Sequence, residues 1–473
     1  MRETNHKRKL WRFRISERKT LLVIGDFIMA VAGLILALFV WAKGGEWLGF
    51  SVEFLLDRVP MWFYLLPFLW LVLLVELYDP HKAASVKGTI RGIGTAAIIG
   101  MIAYSLVYLV STPGSLPRIG LAVFVLATAG LTLAWRLIYI RVFTTPSFLR
   151  RVLLVGAGRS GKTLLDVLSK INPPPFQVIG ILDDDPDKEN TMIKGYPVFG
   201  GSAKLQEIID EHGITDVIVA ISGEIQGHTF QNLLDAQESG IEISRMPVVY
   251  EDLLGRVPIQ LLEADWLLRS FLDEYRVNGF YEVGKRLLDI LGGLVGLLIL
   301  IIIFPFVGVA IVIDSGFPII YKQTRLGKRA KPYQMIKFRT MRQDAEADGR
   351  PRWATEDDKR ATKIGKFLRK THLDEIPQFI NVLMGEMSLV GPRSERPELV
   401  EHFQKYVPFY RARLLVKPGI TGWAQINYPY AASIEETIAK LEYDLYYIKH
   451  RNLVLDMVIM FRTPSTMLGM QGQ

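Results

Sequence analysis

The sequence predicts an integral membrane protein in three parts: an α-helical N-terminal bundle, a Rossmann-like α/β domain, and a mainly α domain tethered to the membrane by a re-entrant helix. Three observations predict this fold class. Apolar stretches of spanning length occupy the first part, strands alternate with helices around a glycine-rich turn in the second, and a last apolar run precedes a motif-rich third part. We place the boundaries at 1–145, 146–270, 280–320 for the re-entrant hairpin, and 321–473.

Four early apolar stretches each approach the ~20 residues that a membrane-spanning helix needs. They cover Leu21–Ala42, Met61–Tyr78, Ile93–Val110 and Ile119–Phe143. Lysine and arginine are concentrated before the first stretch, between the second and third, and after the fourth. Because cytoplasmic loops carry the excess of basic residues, we expect four spans with both ends in the cytoplasm. No small-residue cleavage site follows the first stretch, which argues against a signal peptide.

Composition excludes several classes of chemistry. The chain has no cysteine, so disulfides, thiolate catalysis and cysteine-ligated metals are excluded. The seven histidines are scattered without the spacing of metal ligands. The net charge of +8 suits anionic lipids or phosphates as partners. Nucleic acid is not expected, because the basic excess lies beside the apolar stretches and no nucleic-acid motif occurs.

The middle part reads as a Rossmann-like domain with a glycine-rich turn after its first strand. The strand Arg151–Val155 is followed by Gly156-Ala-Gly-Arg-Ser-Gly161, a helical segment, and a second strand that ends at Asp183. This acid, about 22 residues after the last glycine, completes a dinucleotide fingerprint. The turn also fits a Walker A pattern through Lys162-Thr163, but about 120 residues are few for an NTPase. We favour a turn that serves helix–strand packing, with dinucleotide binding as the alternative.

Residues 287–313 form an apolar run that is interrupted only by Asp289 and is long enough to cross a bilayer. Basic residues flank both of its ends. They are Lys285 and Arg286 on one side, and Lys322, Arg325, Lys328, Arg329 and Lys331 on the other. Both ends therefore favour the cytoplasm. Proline removes a helical N–H, so we expect the helix to enter the membrane, break at Phe304-Pro305 and return. An ordinary fifth span is the alternative.

Two adjacent acids mark the candidate chemistry of the C-terminal part. Asp374 and Glu375 precede Pro377, which is tolerated in the first turn of a helix, so both acids should lie near a helix start. Thr371-His-Leu-Asp374 fits a capping box, whereas two adjacent carboxylates also suit Mg²⁺. Nearby cations favour phosphate recognition. They are Lys337, Arg339, Arg369 and Arg393.

Four motifs follow the apolar run in order and carry a family resemblance. They are Gln323-Thr-Arg325-Leu-Gly327 leading into Lys337-Phe-Arg339-Thr-Met341, Arg369-Lys-Thr-His-Leu-Asp374-Glu375-Ile-Pro377-Gln378, Ser388-Leu-Val-Gly391-Pro392-Arg393, and Lys417-Pro418-Gly-Ile-Thr-Gly422-Trp423-Ala-Gln425. Over about residues 280–473, the chain resembles the bacterial sugar transferase family, the monotopic phosphoglycosyl transferases. The whole architecture is similar to the large members, whose catalytic unit is held by a proline-broken re-entrant hairpin. Ser394, Ala330 and Tyr333 depart from the usual pattern and leave the chemical groups intact.

The resemblance implies transfer of hexose 1-phosphate from a UDP-hexose to undecaprenyl phosphate, with release of UMP. It implies that Asp374 is the nucleophile and forms an aspartyl-phosphosugar, and that Glu375 helps Asp374 to hold Mg²⁺. It further implies that Arg369 meets the lipid phosphate and Arg393 a substrate phosphate. The resemblance implies further assignments for the same site. They are Lys337 and Arg339 for phosphate, and Pro418, Gly422 and Gln425 for the nucleotide pocket.

The same resemblance sets the expected setting of the protein. We expect a multi-pass protein of the bacterial inner membrane with its catalytic domain on the cytoplasmic face, in a homodimer. Its product would begin the synthesis of exopolysaccharide, capsule or O-antigen, with glucose or galactose as the sugar. The alternative is a membrane-anchored, NAD-dependent nucleotide-sugar dehydratase or epimerase. Such enzymes use a Tyr-x-x-x-Lys pair, which occurs at Tyr281–Lys285 and Tyr333–Lys337, but neither pair belongs to the domain with the glycine turn.

Overall fold

In this computed structural model, the chain divides into two compact units, Met1–Asp252 and Leu253–Gln473. The structure describes residues 15–43, 49–78, 83–110, 118–143, 149–261, 279–342, 360–428 and 433–467. The basic residues that precede residue 15, on which the predicted cytoplasmic N-terminus partly depends, lie outside this set.

The first unit begins with apolar helices. They are α1 (Ile15–Lys43), α2 (Leu66–Leu73), α3 (Val86–Val110) and α4 (Arg118–Phe143). Among the residues that the structure describes, α1, α3 and α4 are long and apolar enough to cross a membrane. Large apolar side chains such as Ile28 and Leu126 remain exposed on their outer faces, as a lipid environment requires. The protein is therefore membrane-associated.

The predicted span Met61–Tyr78 differs from the structure. It consists of a 3₁₀ turn over Met61–Leu65, the short helix α2, and a second 3₁₀ turn over Val75–Tyr78. Pro67 lies in the first turn of α2, where it cannot donate a hydrogen bond to the preceding turn. The apolar stretch is therefore divided into pieces that are each shorter than a spanning helix.

A buried ion pair joins the helices of this bundle. Arg136 of α4 lies 2.6 Å from the Asp26 carboxylate of α1, and both side chains are fully buried. Arg136 also donates to the carbonyl oxygen of Leu77, at 2.9 Å. In apolar surroundings, removing either partner would leave a bare charge, at a cost of about 3–5 kcal/mol. The pair therefore fixes how α1 and α4 pack.

The middle of the chain folds as an α/β domain around a parallel sheet, in agreement with the coarser part of the prediction. Its main elements are β1 (Arg151–Val155), α5 (Arg159–Ser169), β2 (Gln177–Leu182), β3 (Met192–Ile193), β4 (Tyr196–Pro197), α6 (Leu205–His212), β5 (Asp216–Val219), α7 (Gly227–Glu238), β6 (Glu242–Arg245) and α8 (Met246–Leu254). Strands β2, β1, β5 and β6 form a parallel sheet in that order, and β3 pairs with β4 in an antiparallel hairpin. The order reverses at β1, so the glycine turn lies at the switch point where such folds bind ligands.

The second unit is mainly helical. Its main elements are α9 (Gly279–Ser315), β7 (Ile320–Leu326), β8 (Pro332–Phe338), α10 (Lys363–Lys370), a 3₁₀ helix (Leu373–Gln378), α11 (Phe379–Met384), β9 (Ser388–Val390), α12 (Pro397–Phe403), a 3₁₀ helix (Tyr410–Leu415), β10 (Gly419–Thr421), α13 (Trp423–Asn427), α14 (Ile434–His450) and α15 (Leu453–Met467). Strands β7 and β8 pair antiparallel, whereas β9 and β10 pair parallel.

The segment predicted to be a re-entrant hairpin lies in helix α9. The predicted break at Phe304-Pro305 is not observed, because α9 continues through Pro305 as one helical element. Gly296 lies against Phe379 of α11, and near the other end Asp314 accepts a hydrogen bond from the N–H of Ile364 in α10. Both halves of α9 therefore pack on the same unit, while side chains such as Leu298 and Ile302 stay exposed. A re-entrant path remains a prediction, since an unbroken helix of this length is also a candidate span.

Candidate active site

The predicted phosphate and metal residues come from four elements of the second unit. Strand β8 carries Lys337, the last turn of helix α10 carries Arg369, the 3₁₀ helix Leu373–Gln378 carries both acids, and the loop after β9 carries Arg393. These elements bring Lys337, Arg393 and Glu375 into direct contact, although 56 residues separate the first two in the sequence.

Glu375 lies at the centre of this cluster. Its Oε1 atom accepts hydrogen bonds from Lys337 Nζ and from Arg393 Nη2, each at 2.7 Å. Burial would raise the pKa of the Glu375 carboxyl, but Arg393 and Lys337 together hold that pKa well below its usual range. Glu375 is therefore an ionised carboxylate that aligns two cations.

Asp374 has a different environment. Its residue is 8% exposed, and the described residues supply no hydrogen bond to its carboxylate. Burial raises the pKa of Asp374 above the usual aspartate range; Lys337 opposes the rise and Glu375 adds to it. A buried carboxylate without donors is a poor structural element, but it is a reactive one once a cation or a phosphorus centre approaches.

The predicted capping box is wrong in its geometry. Thr371 follows the end of α10, and its hydroxyl donates back to the carbonyl oxygen of Phe367 at 2.9 Å. The 3₁₀ helix with both acids begins after His372, which has a left-handed backbone with φ of 55° and no side-chain cap. Asp374 therefore lies within the 3₁₀ helix and does not cap it. Sequence spacing could not reveal this turn, because any residue other than glycine adopts a positive φ only uncommonly, and nothing in the spacing marks His372 as one that does.

The two remaining arginines have separate surroundings. Arg369 donates from Nε to Thr340 Oγ1 at 3.0 Å, and its charge helps to oppose the burial-driven rise in the pKa of Asp374. Arg339, also predicted to bind phosphate, is buried and donates to the carbonyl oxygens of Ser315 and Gly316 at the end of α9. The structure thus gives Arg339 contacts that join the end of α9 to the chain just after β8.

The residues predicted to form the nucleotide pocket also differ in their surroundings: one lines a recess and the other two make contacts within a turn. Pro418 lines a small recess, together with Arg393 and Arg413. Gln425 donates to the carbonyl oxygen of Ile420 at 3.3 Å, and the α-carbon of Gly422 lies close to the Gly391 carbonyl. Gly422 and Gln425 therefore shape the turn after β10. Of the three, Pro418 alone is among the residues that line this recess.

Sequence reasoning missed a second layer of polar residues beneath the site. Arg413 donates to the carbonyl oxygen of Arg393 and to Asp444, at 3.1 and 2.8 Å. Asn381, fully buried, accepts from the N–H of Ile336, next to Lys337, at 3.1 Å. Their signal in the sequence is weak, because a polar residue inside a helix becomes informative only when its burial is known.

The donor set is compatible with the predicted Mg²⁺. Both carboxylates are hard oxygen ligands; Asp374 lacks hydrogen bonds from the described residues, while Glu375 presents a second oxygen beside the one that the cations occupy. Described residues form no cluster of three or more His, Cys, Asp or Glu side chains. Two carboxylates with substrate phosphates and water suit Mg²⁺, which keeps much of its shell outside the protein.

Comparisons with known proteins agree with the family resemblance that the four motifs indicate. A family described as bacterial sugar transferase matches residues 280–470, and one described as a CoA-binding domain matches residues 73–247. Over 228 residues, the chain is 39% identical to a UDP-N-acetylgalactosamine-undecaprenyl-phosphate N-acetylgalactosaminephosphotransferase of Aeromonas hydrophila, covering 48% of this chain and 52% of that protein.

Two further relatives extend the match. A UDP-glucose:undecaprenyl-phosphate glucose-1-phosphate transferase of Klebsiella pneumoniae is 33% identical over 66% of this chain and 67% of its own length. An exopolysaccharide production protein of Rhizobium leguminosarum is 38% identical over 38% of this chain and 92% of its own length. The chain thus spans about half the length of the first of these relatives and two thirds of the second.

Proposed function

The chain belongs to the bacterial sugar transferase family, and we propose that it transfers hexose 1-phosphate from a UDP-hexose to undecaprenyl phosphate. One observation carries the proposal: a buried Asp374 without hydrogen bonds from the described residues lies next to a Glu375 that two cations hold. A carboxylate left unpaired beside cations is equipped to attack phosphorus, and the setting on a membrane-associated protein suits a lipid acceptor.

In the first step, an oxygen of Asp374 attacks the phosphorus that bears the sugar. The bond from that phosphorus to the UMP oxygen breaks, UMP departs with the bonding electrons, and the sugar phosphate stays on Asp374 as an acyl phosphate. Arg393 and Lys337 bind the diphosphate through charge-assisted hydrogen bonds while Glu375 keeps both cations aligned.

In the second step, an oxygen of undecaprenyl phosphate attacks the same phosphorus. The bond to Asp374 breaks, the carboxylate is regenerated, and undecaprenyl-diphospho-hexose leaves. Arg369 lies at the end of α10, near Asp374, and would bind the acceptor phosphate. When bound by Asp374 and Glu375, Mg²⁺ would neutralise charge on the substrate phosphates.

Release of UMP from a panel of UDP-sugars tests the function. The panel holds UDP-glucose, UDP-galactose and UDP-N-acetylgalactosamine, because the relatives above are named for different sugars. Turnover is expected with one sugar when undecaprenyl phosphate is present. Without the lipid, the enzyme should release about one UMP per site and gain the mass of one sugar phosphate. Absence of UMP with every sugar would contradict the proposal.

The dehydratase alternative has little support from the geometry. Its Tyr281 and Lys285 pair is engaged with Asp456, at 3.1 and 2.9 Å, in the second unit. The glycine turn belongs to the first unit. A tyrosine and lysine that share one carboxylate hold structure together and are not arranged to move a substrate proton.

We further propose that α9 is re-entrant in the inner membrane, that the catalytic domain faces the cytoplasm, and that the protein is a homodimer. Because the chain lacks cysteine, single cysteines report topology cleanly. Phe280→Cys and Lys322→Cys should both resist an impermeant thiol reagent in intact cells, whereas Val52→Cys, after the first span, should react. Labelling of Lys322→Cys alone would indicate a full span. Light scattering in detergent would determine the oligomeric state.

A further inference from the structure

We propose that the first half of α9 is part of the catalytic apparatus as well as a membrane anchor: Lys285 and Asp289 hold β9, and β9 positions Arg393. The inference rests on the proposed function, because transferase activity is its readout. It accounts for two features of the sequence that the mechanism leaves unused, the only acid within the apolar run and the Tyr-x-x-x-Lys pattern that precedes it.

Asp289 binds the backbone of β9. Its residue is 2% exposed, and its Oδ1 atom accepts from the N–H of Leu389 at 2.9 Å and from the hydroxyl of Ser388 at 2.8 Å. Ser388 and Val390 pair with β10, so the intervening Leu389 N–H points away from that partner strand. Asp289 therefore acts as the missing strand partner at this edge, which explains a carboxylate inside an apolar segment.

Lys285 lies one helical turn earlier and binds the other end of the strand. Its ammonium group donates to the carbonyl oxygen of Val390, the hydroxyl of Tyr447 and the carboxylate of Asp456, at 3.0, 3.1 and 2.9 Å. Asp456 is fully buried and also accepts from Tyr281 and Tyr447. All three N–H donors of the ammonium group are thereby used. Lys285 is therefore held in place and anchors the Val390 end of β9.

Glycines allow α9 to approach this closely. A Cβ atom on Gly293 would lie 2.7 Å from Leu383, and Cβ atoms on Gly292 and Gly296 would collide with Leu389 and Phe379. Such small residues occur where helix backbones pack tightly. The same face of α9 thus contacts both β9 and α11, which directly continues the 3₁₀ helix with the two acids.

The consequence reaches the site through three residues. Beyond Val390, the chain runs through Gly391 and Pro392 to Arg393, whose guanidinium lies 2.7 Å from Glu375. Without Asp289, the Leu389 N–H loses its partner in a buried position and the strand can shift. A displacement of about 1 Å in a positioning element can lower a rate by about 100-fold. Lys285 and Asp289 are therefore positioning residues.

The test compares Asp289→Leu with Asp289→Asn in the full-length chain, reconstituted with the lipid phosphate. Asparagine keeps the accepting oxygen, so Asp289→Asn should retain kcat within about 3-fold, whereas Asp289→Leu should lose about 10- to 100-fold. Leu291→Ala, on the exposed face two residues away, is the matched control and should remain within about 2-fold.

A double-mutant cycle with Arg393→Met separates positioning from general stability. If Asp289 acts through Arg393, then Asp289→Leu should not lower kcat further in the Arg393→Met background. Additive losses, or full activity of Asp289→Leu, would overturn the inference. If Asp289→Leu does not fold, Lys285→Met enters the same cycle with the same two outcomes. A wild-type enzyme without UMP release would instead contradict the proposed function.

Discussion

The glycine turn of the middle domain and the acid pair of the C-terminal domain both have sequences typical of phosphate chemistry, yet their polar groups differ in the folded chain. In the glycine turn, Asp183 accepts from the N–H of Ala157 at 2.6 Å and from Lys188 at 3.0 Å. In the acid pair, Asp374 is buried and receives no hydrogen bond from the described residues.

The two motifs differ in which of their polar groups remain available to bind a ligand. The turn uses its own acid to satisfy a loop N–H that a dinucleotide phosphate or ribose would otherwise approach. The acid pair leaves a carboxylate whose burial raises its pKa and which only another partner can satisfy. A motif typical of binding is therefore better judged by the groups that the fold leaves unpaired than by its residue spacing.

The largest effect is expected when the acid of each region is replaced by its amide and the turnover of the two variants is compared. Asp374→Asn should lower turnover by on the order of 10³-fold or more and abolish the sugar-phosphate adduct, because an amide is not a competent nucleophile. Thermal unfolding should not become easier, since a buried charge without donors is removed.

Asp183→Asn is the matched control and should leave turnover within about 3-fold while it weakens the middle domain. Steady-state UMP release and thermal melting in detergent measure both quantities. Substantial activity of Asp374→Asn, or loss of turnover in a folded Asp183→Asn variant, would reverse the roles assigned to the two regions.

Removing a cation from the acid pair should shift the pH dependence of turnover. Burial raises the pKa of Asp374 and Lys337 opposes that rise, so Lys337→Met should raise the pKa further. The nucleophile is lost as the pH falls through this pKa, so the acidic limb of the kcat/KM profile should move to higher pH, with turnover lower by about 10-fold at pH 7.

Lys322→Met, an exposed lysine on β7, is the control and should leave the profile in place. An acidic limb that is unchanged in Lys337→Met would mean that the limb reports a group other than Asp374.

The order of elements and the convergence of Lys337, Glu375 and Arg393 could be predicted from the sequence, because family motifs and hydrophobic runs are local signals. Two features could not. The His372 backbone displaced the predicted cap, and the Arg339 side chain turned to the end of α9. Each depends on a single torsion or a distant partner that spacing does not encode. The division of the second predicted span could have been read from the sequence, because Pro67 stands inside that stretch.

The long-range polar contacts show the same limit. Asp26 and Arg136 are 110 residues apart, and Asp289 meets Ser388 across 99 residues. The sequence reveals an acid inside an apolar run but not the group that satisfies it. Acids inside apolar segments are therefore the positions at which a structure adds most to motif reading in this chain.

The smallest effect is expected at the glycine turn itself. A Cβ atom on Gly158 would meet no atom within 4 Å, so Gly158→Val should fold normally, yet it would block the close backbone approach that a bound pyrophosphate requires. Because we expect the middle domain to bind neither NAD nor ATP for catalysis, UMP release should stay within about 2-fold of wild type.

Gly161→Val is the contrasting variant, since a Cβ there would collide with the Gly156 carbonyl and should lower the melting temperature. If Gly158→Val abolishes turnover while its melting curve and membrane insertion remain normal, the glycine turn holds a nucleotide that catalysis needs, and the two regions are alike after all.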